Sequence, residues 1–312
     1  MEKQKRHLEF ISEQDKLRLD GFLIAPENGK AILQISHGMC EHKERYFSFM
    51  EYMAEQGYIC VIHDHRGHGK SVRSQEDIGY FYENGGESLV EDLHQITKEM
   101  KEEYPRLPYF LFGHSMGSLA VRCYAKKYDA ELNGLIVCGS PSENAMAGLG
   151  ILIDRAIQKY RGGHGRSSVI DTVFSKGFER AFEEEKTPHA WICSDKEIVA
   201  AYNADPLCNF TFTLNGYEAL LWLVKQTYSM QGWRVENPNL PIYFISGEDD
   251  PCMIDTKKFF EAVEQMKKAG YTNVSSQLYQ GMRHEILNEI GKERVYQDIA
   301  EFLESKRKIG FE

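Results

Sequence analysis

Three stretches of this chain carry residue types that could share one piece of chemistry. In FLFGHSMGSLAVRCY, residues 110–124, Ser115 stands between Gly113 and Gly117, after an apolar run and before a helical pattern. That is the G-x-S-x-G arrangement of a strand, a sharp turn and a helix, in which a strained serine is lifted clear of a sheet edge. Side chains two residues either side would collide with so tight a turn, and glycine removes the collision. A serine hydroxyl is a weak nucleophile until a base takes its proton. With this kind of turn the partners follow in the order serine, acid, histidine. ISGEDDPC, residues 245–252, puts Asp249 and Asp250 just after one apolar run, and LYQGMRHEIL, residues 278–287, puts His284 just after another. The predicted chemistry is acyl transfer. His284 removes the Ser115 proton and later returns it to the leaving group. The acid holds the imidazole tautomer and stabilises its charge. Pro251 and the spacing from Gly247 favour Asp250 as that acid, with Asp249 as the alternative.

A developing oxyanion also needs donors, each typically worth ~3–4 kcal/mol in the transition state. Met116 offers its N–H at the start of the helix after Ser115. ISHGMCEH, residues 35–42, ends a strand at His37-Gly38, so the N–H of Met39 can turn inward as the second donor.

The elements that must hold these groups follow from periodicity. LEFIS (8–12), LRLDGFLIA (17–25), AILQIS (31–36), YICVIHD (58–64), YFLFG (109–113), LNGLIVCGS (132–140), PIYFISG (241–247) and SSQLYQG (275–281) are predicted strands. Helices are expected over 45–57, around Leu89, Leu93, Ile96 and Met100, to about 128, over 255–269, and after Asn288. Strands alternating with helices imply an α/β fold with a mostly parallel sheet covered on both faces. The rhythm breaks between 141 and 238, where GILIDRAIQKY and YEALLWLVKQTY are helical pieces joined through a Gly-rich RGGHGRSS. The domains expected are a core of residues 1–140 and 239–312 and an insertion of 141–238.

Composition excludes several function classes. With 312 residues and a net charge of −10, the chain lacks the clustered cation that phosphate neutralisation needs, so no nucleic-acid partner is expected. Its charged start, MEKQKRHLEF, is unlike a secretory signal, and no run approaches a membrane span. Seven cysteines without CxxC spacing, several inside apolar runs, predict buried free thiols and a cytoplasmic setting. HDHRGHGKS, residues 63–71, ends like a P-loop, but Asp64 stands where that loop needs glycine. Its histidines 63, 65 and 68 have no partner cluster elsewhere that would make a metal site. His284-Glu285 likewise lacks the second histidine of HExxH. No metal or cofactor is implied.

Taken together, HGMCEHKERY (37–46), DHRGHGKS (64–71), GHSMG (113–117), SGEDDP (246–251) and RHE (283–285) resemble the monoacylglycerol lipase and lysophospholipase-like serine hydrolases of the α/β-hydrolase superfamily. YNADPLCNFTFT (202–213) is similar to a segment common in bacterial lysophospholipase-like members. The resemblance spans the whole chain. It implies an α/β-hydrolase fold with a helical cap insertion, a Ser115-Asp250-His284 triad, and the Met39 and Met116 amides as oxyanion hole. It further implies that Glu41 and Arg45 hold a glycerol head group; as residues alone they could equally be a surface ion pair. Leu287 stands where the family has a third contact, a histidine, so the glycerol subsite departs from the pattern. Met146, Leu149, Ile151, Leu152, Ile153, Trp222, Leu223 and Val224 would pack the cap, line an acyl channel, or touch a micelle or membrane surface. The implied function is hydrolysis of a monoacyl ester, a monoacylglycerol or lysophospholipid, through an acyl-enzyme. A thioesterase or serine aminopeptidase on the same triad, or a non-catalytic binding scaffold, are the alternatives. An epoxide hydrolase or dehalogenase would need Asp in place of Ser115.

Overall fold

A computed structural model describes residues 3–144 and 147–307, without the side chains of 169, 171 and 173–176. Eight strands form one sheet: β1 (Lys3–Ile11), β2 (Arg18–Pro26), β3 (Ala31–Ser36), β4 (Tyr58–His63), β5 (Tyr109–His114), β6 (Gly134–Cys138), β7 (Ile242–Gly247) and β8 (Val274–Tyr279). Their order is β1-β2-β4-β3-β5-β6-β7-β8. β1 and β2 pair antiparallel with their neighbours, and all pairs from β4 to β8 are parallel. Parallel strands need crossovers, and helices supply them. α1 (Phe47–Glu55), α2 (Gly85–Glu103) and α3 (Met116–Tyr128) follow β3, β4 and β5.

The strands are apolar because both faces are covered. Along β5, Tyr109 and Leu111 point to one face and Phe110 and Phe112 to the other. The first face packs on Leu89, Leu93, Ile96 and Met100 of α2 and on Leu119 and Val121 of α3. The second packs on Phe49, Met50 and Met53 of α1, and on Val295, Ile299 and Leu303 of the C-terminal helix (Lys292–Arg307). Burying each such side chain stabilises the fold by ~1.5–3 kcal/mol relative to exposure. All seven cysteines are buried and free.

Between β6 and β7 the described residues hold α4 (Ala147–Arg161), α5 (Ser168–Arg180), α6 (Lys196–Ala204) and α7 (Leu214–Tyr228), and no strand. α7 is seated on α2, α3 and α4, and its Tyr217, Leu220 and Leu223 join the core. Of the apolar residues singled out above, Ile151, Leu223 and Val224 are buried and Trp222 is half-buried. Leu149, Leu152 and Ile153 lie exposed on α4. Met146 lies outside the described residues. α8 (Thr256–Ala269) and α9 (Lys292–Arg307) flank β8.

Candidate active site

Ser115 joins β5 to α3 with φ 52° and ψ −118°. That backbone region is sparsely populated for a residue with a side chain, at a typical cost of ~1–3 kcal/mol. The strand edge holds it there: the Ser115 N–H donates to the Cys138 carbonyl at the end of β6, 3.0 Å away. The two glycines leave room for the turn. A Cβ on Gly113 would meet the Gly117 carbonyl oxygen at 2.4 Å, and one on Gly117 would meet the Ser36 carbonyl oxygen at 2.1 Å.

Asp250 and His284 come from the loops after β7 and β8. His284 Nδ1 donates to both Asp250 carboxylate oxygens, each at 3.0 Å, and both residues are buried. Asp250 is fixed in turn by the Ser246 hydroxyl (2.9 Å) and the Cys252 N–H (2.8 Å). Asp249 is exposed, and only its backbone is engaged, donating to the Met282 carbonyl. Burial pulls the His284 pKa down, yet the Asp250 carboxylate, with Glu285 and Glu41 nearby, leaves it raised overall. The same pairing holds the Asp250 carboxyl below its usual range despite burial.

Gly139 follows the Cys138 carbonyl that binds the Ser115 N–H, and its Cβ position would be 3.3 Å from His284 Cε1. Among the described residues, no hydrogen bond joins the Ser115 hydroxyl to His284 Nε2; that nitrogen lies 3.9 Å from the Cys252 sulfur. Such bonds often tighten only when substrate arrives.

The loop after β3 is fixed with unusual thoroughness. His37 Nδ1 donates to the Gly38 carbonyl (2.8 Å), and its Nε2 accepts the His65 N–H (2.9 Å). A trans peptide points its C=O and N–H in opposite directions. Anchoring the Gly38 carbonyl therefore also fixes the Met39 N–H. Glu41 accepts from the Gly38 N–H (2.5 Å) and the Tyr46 hydroxyl (2.8 Å). Arg45 bonds Glu41 (2.8 Å) and grips Glu285 with two parallel bonds of 2.7 and 2.6 Å. His114, inside the serine motif, donates from Nε2 to the His284 carbonyl (3.2 Å), and its Nδ1 lies 3.4 Å from Glu41. Burial opposes charge on Glu41, but His114 and Arg45 hold its carboxyl well below the usual range.

The surface ion pair considered for Glu41 and Arg45 is thus corrected to an interior one. Glu41 is 3% exposed, and Arg45 spans two loops. Glu285, His114 and His37 had no assigned role in the sequence. Arg45 and Glu285 are 240 positions apart, so no local pattern could pair them. The HDHRGHGKS stretch is structural: Asp64 accepts from the Lys43 N–H and ammonium and from the Lys70 N–H, each within 2.9 Å. Inside the protein His65 lies tilted against His37 and His68 edge-on to it, with His63 edge-on to His65. Two other trios bring donor atoms within 4.8 Å of one another, His42-Asp205-Cys208 and Asp250-Cys252-His284. In both, the histidine is already bonded to carboxylate.

Comparison with known proteins gives the family and the fold. The family described as serine aminopeptidase, S33 matches residues 27–291. A monoacylglycerol lipase from Mycolicibacterium smegmatis is 24% identical over 276 residues, covering 88% of this chain and 89% of that protein. Human monoglyceride lipase is 32% identical over 108 residues, 35% of this chain and 34% of that protein. A thermostable carboxyl esterase from Bacillus coagulans, solved in complex with glycerol, superposes with a TM-score of 0.89 at 30% identity, covering 97% and 99% of the two chains. The serine elbow, the covered parallel sheet and a family match over most of the length lead to one conclusion: this chain belongs to the serine aminopeptidase S33 family of the α/β-hydrolase superfamily.

Proposed function

We propose that this protein is a carboxylic ester hydrolase acting on monoacyl lipid esters, a monoacylglycerol or a lysophospholipid. The observation that carries the reading is the buried Asp250–His284 pair beside the strained Ser115 turn. Ser115 attacks the ester carbonyl as His284 Nε2 takes its proton. The Met39 and Met116 amides receive the oxyanion. His284 then protonates the leaving alcohol, and a water deprotonated by His284 releases the acid. Residues 141–238 act as a cap over a core of 1–140 and 239–312. The exposed Leu149, Leu152 and Ile153 of α4 support transient contact with a micelle or membrane surface. Glu41 and Arg45 contribute to the alcohol side of the site.

The family's description makes an aminopeptidase the natural second reading. That chemistry needs a carboxylate free to receive the substrate's ammonium group. Among the described residues, five carboxylates of the loops around the site already have partners. Glu41 and Glu285 hold Arg45, Glu44 and Asp205 hold His42, and Glu289 holds Ser194 and the Arg283 N–H. This favours the ester reading. A panel of monoacylglycerols, lysophosphatidylcholine, acyl thioesters and aminoacyl amides tests it. Turnover of the oxygen esters at least ~100-fold above the amides is expected. Preferential cleavage of the amides would overturn the ester reading.

A further inference from the structure

Trp191 is the one indole against the proposed catalytic histidine. Its ring centroid lies 5.1 Å from that of His284 at 45°. It belongs to a short turn, Ala190–Ile192, leading into α6. That turn is bolted to the histidine's own loop. The Ile192 carbonyl accepts the Glu285 N–H at 2.7 Å. Arg283 donates to the carbonyls of Ala190 (2.5 Å) and Cys193 (3.3 Å), and the Cys193 thiol to that of Asn288 (3.5 Å). Phe178 packs on the indole at 4.9 Å. The indole N–H takes no part in this scaffold: Nε1 is buried and has no partner among the described residues.

A buried indole N–H normally finds an acceptor. Here the ring is held beside the imidazole by its backbone neighbours and by apolar packing, with the donor left unused. The atom that receives a proton from His284 Nε2 is the ester oxygen of the leaving alcohol, and the indole ring lies against that imidazole. We infer that Trp191 is a specificity-determining residue whose indole N–H donates to a free hydroxyl on a polyol leaving group. The inference rests on the ester-hydrolase reading above. In the step concerned, the acyl C–O bond to the alcohol breaks as the Ser115 acyl ester forms. The proton taken from Ser115 passes from His284 to the leaving oxygen. Trp191 gives up no proton; it orients the alcohol.

The test compares a glycerol monoester with the ethyl ester of the same acid, in the wild type and in Trp191→Phe. Phenylalanine keeps an aromatic ring and removes the donor. The rate of Ser115 labelling by a fluorophosphonate is measured beside them as a readout of an intact, folded triad. Expected is a fall of about tenfold in kcat/KM for the glycerol ester, with the ethyl ester and the labelling rate within about twofold of wild type. Equal losses on both esters, or in labelling, would assign the indole to packing alone and overturn the proposal. So would unchanged turnover of both. Wild-type protein that labels with the phosphonate yet hydrolyses neither ester would instead sink the ester-hydrolase reading, and this inference with it.

Discussion

At the scale of single residues, the site is a set of charges balanced around one imidazole. Asp250, Glu285 and Glu41 all favour the protonated form of His284 and together outweigh its burial. The acting base is the neutral form. A raised pKa therefore moves the acid limb of the kcat/KM profile above the ordinary histidine value of ~6.5. Glu285→Gln removes one of the groups that raise it and leaves the Arg45 cation less compensated. Both effects favour neutral imidazole. The acid limb is expected to move to lower pH in this variant, measured by kcat/KM on one ester across the pH range. A limb that stays put or moves up would contradict the electrostatic role given to Glu285. The placement of Ser115 at a strand-to-helix turn and of His284 in the loop after β8 was legible in the sequence, because motif and strand context mark both. Asp250 could be preferred but not separated from Asp249, since that choice is made by which carboxylate the chain buries. The contacts of His114, Glu285 and Trp191 stayed invisible because they form across the fold.

At the scale of elements, the elbow is built by close backbone approach. Gly117 faces the Ser36 carbonyl across a gap that cannot hold a Cβ, and backbone on both sides leaves nothing flexible to yield. Gly117→Ala should lower stability by ~3 kcal/mol or more, read from urea unfolding, with loss of activity. Gly148 on α4 is the matched control, with nothing within 4 Å of its Cβ position. Alanine there, in the first turn of the helix, is expected to change stability by less than ~1 kcal/mol. Equal behaviour of the two variants would refute the packing argument. The inner strands β3 to β7 were legible as apolar runs because helices cover both of their faces. β1 was read short, as 8–12. It runs from Lys3 to Ile11, and at the sheet edge its polar KQKRH half pairs with β2 without needing apolar side chains. α5 and α6 gave no usable periodicity. The Glu183–Glu185 run is an exposed 3₁₀ turn in which Glu185 pairs with Arg283.

For the whole molecule, buried ionisable groups decide how it meets acid. Burial lowers His37 to about 4 and His63 and His68 to about 3, and holds His65 well below the usual range. In the unfolded chain these groups titrate near ~6.5, so below that pH the unfolded state binds more protons. Stability is then present above ~6.5 and lost as pH falls toward the folded values. His42 and His284 are raised in the fold. Their contribution grows only until pH falls through ~6.5 and is complete below it, so they offset a small part of the loss. Unfolding free energy from urea titration is expected to be ~4 kcal/mol or more lower at pH 5 than at pH 7. A flat profile would mean the histidine cluster is not buried as described. Interior charges such as Arg66 and Lys43 escaped the sequence for a related reason: composition marks them as solvated, and only the fold supplies Asp92, Asp20 and Asp64 as partners.

One measurement bears most directly on the central claim that Ser115 is the nucleophile and His284 its base. Protein treated with a fluorophosphonate and analysed by intact mass and peptide mapping should carry one adduct, on Ser115. Ser115→Ala should carry none, and His284→Ala should label at least ~100-fold more slowly. An adduct on another residue, or undiminished labelling without the imidazole, would contradict it.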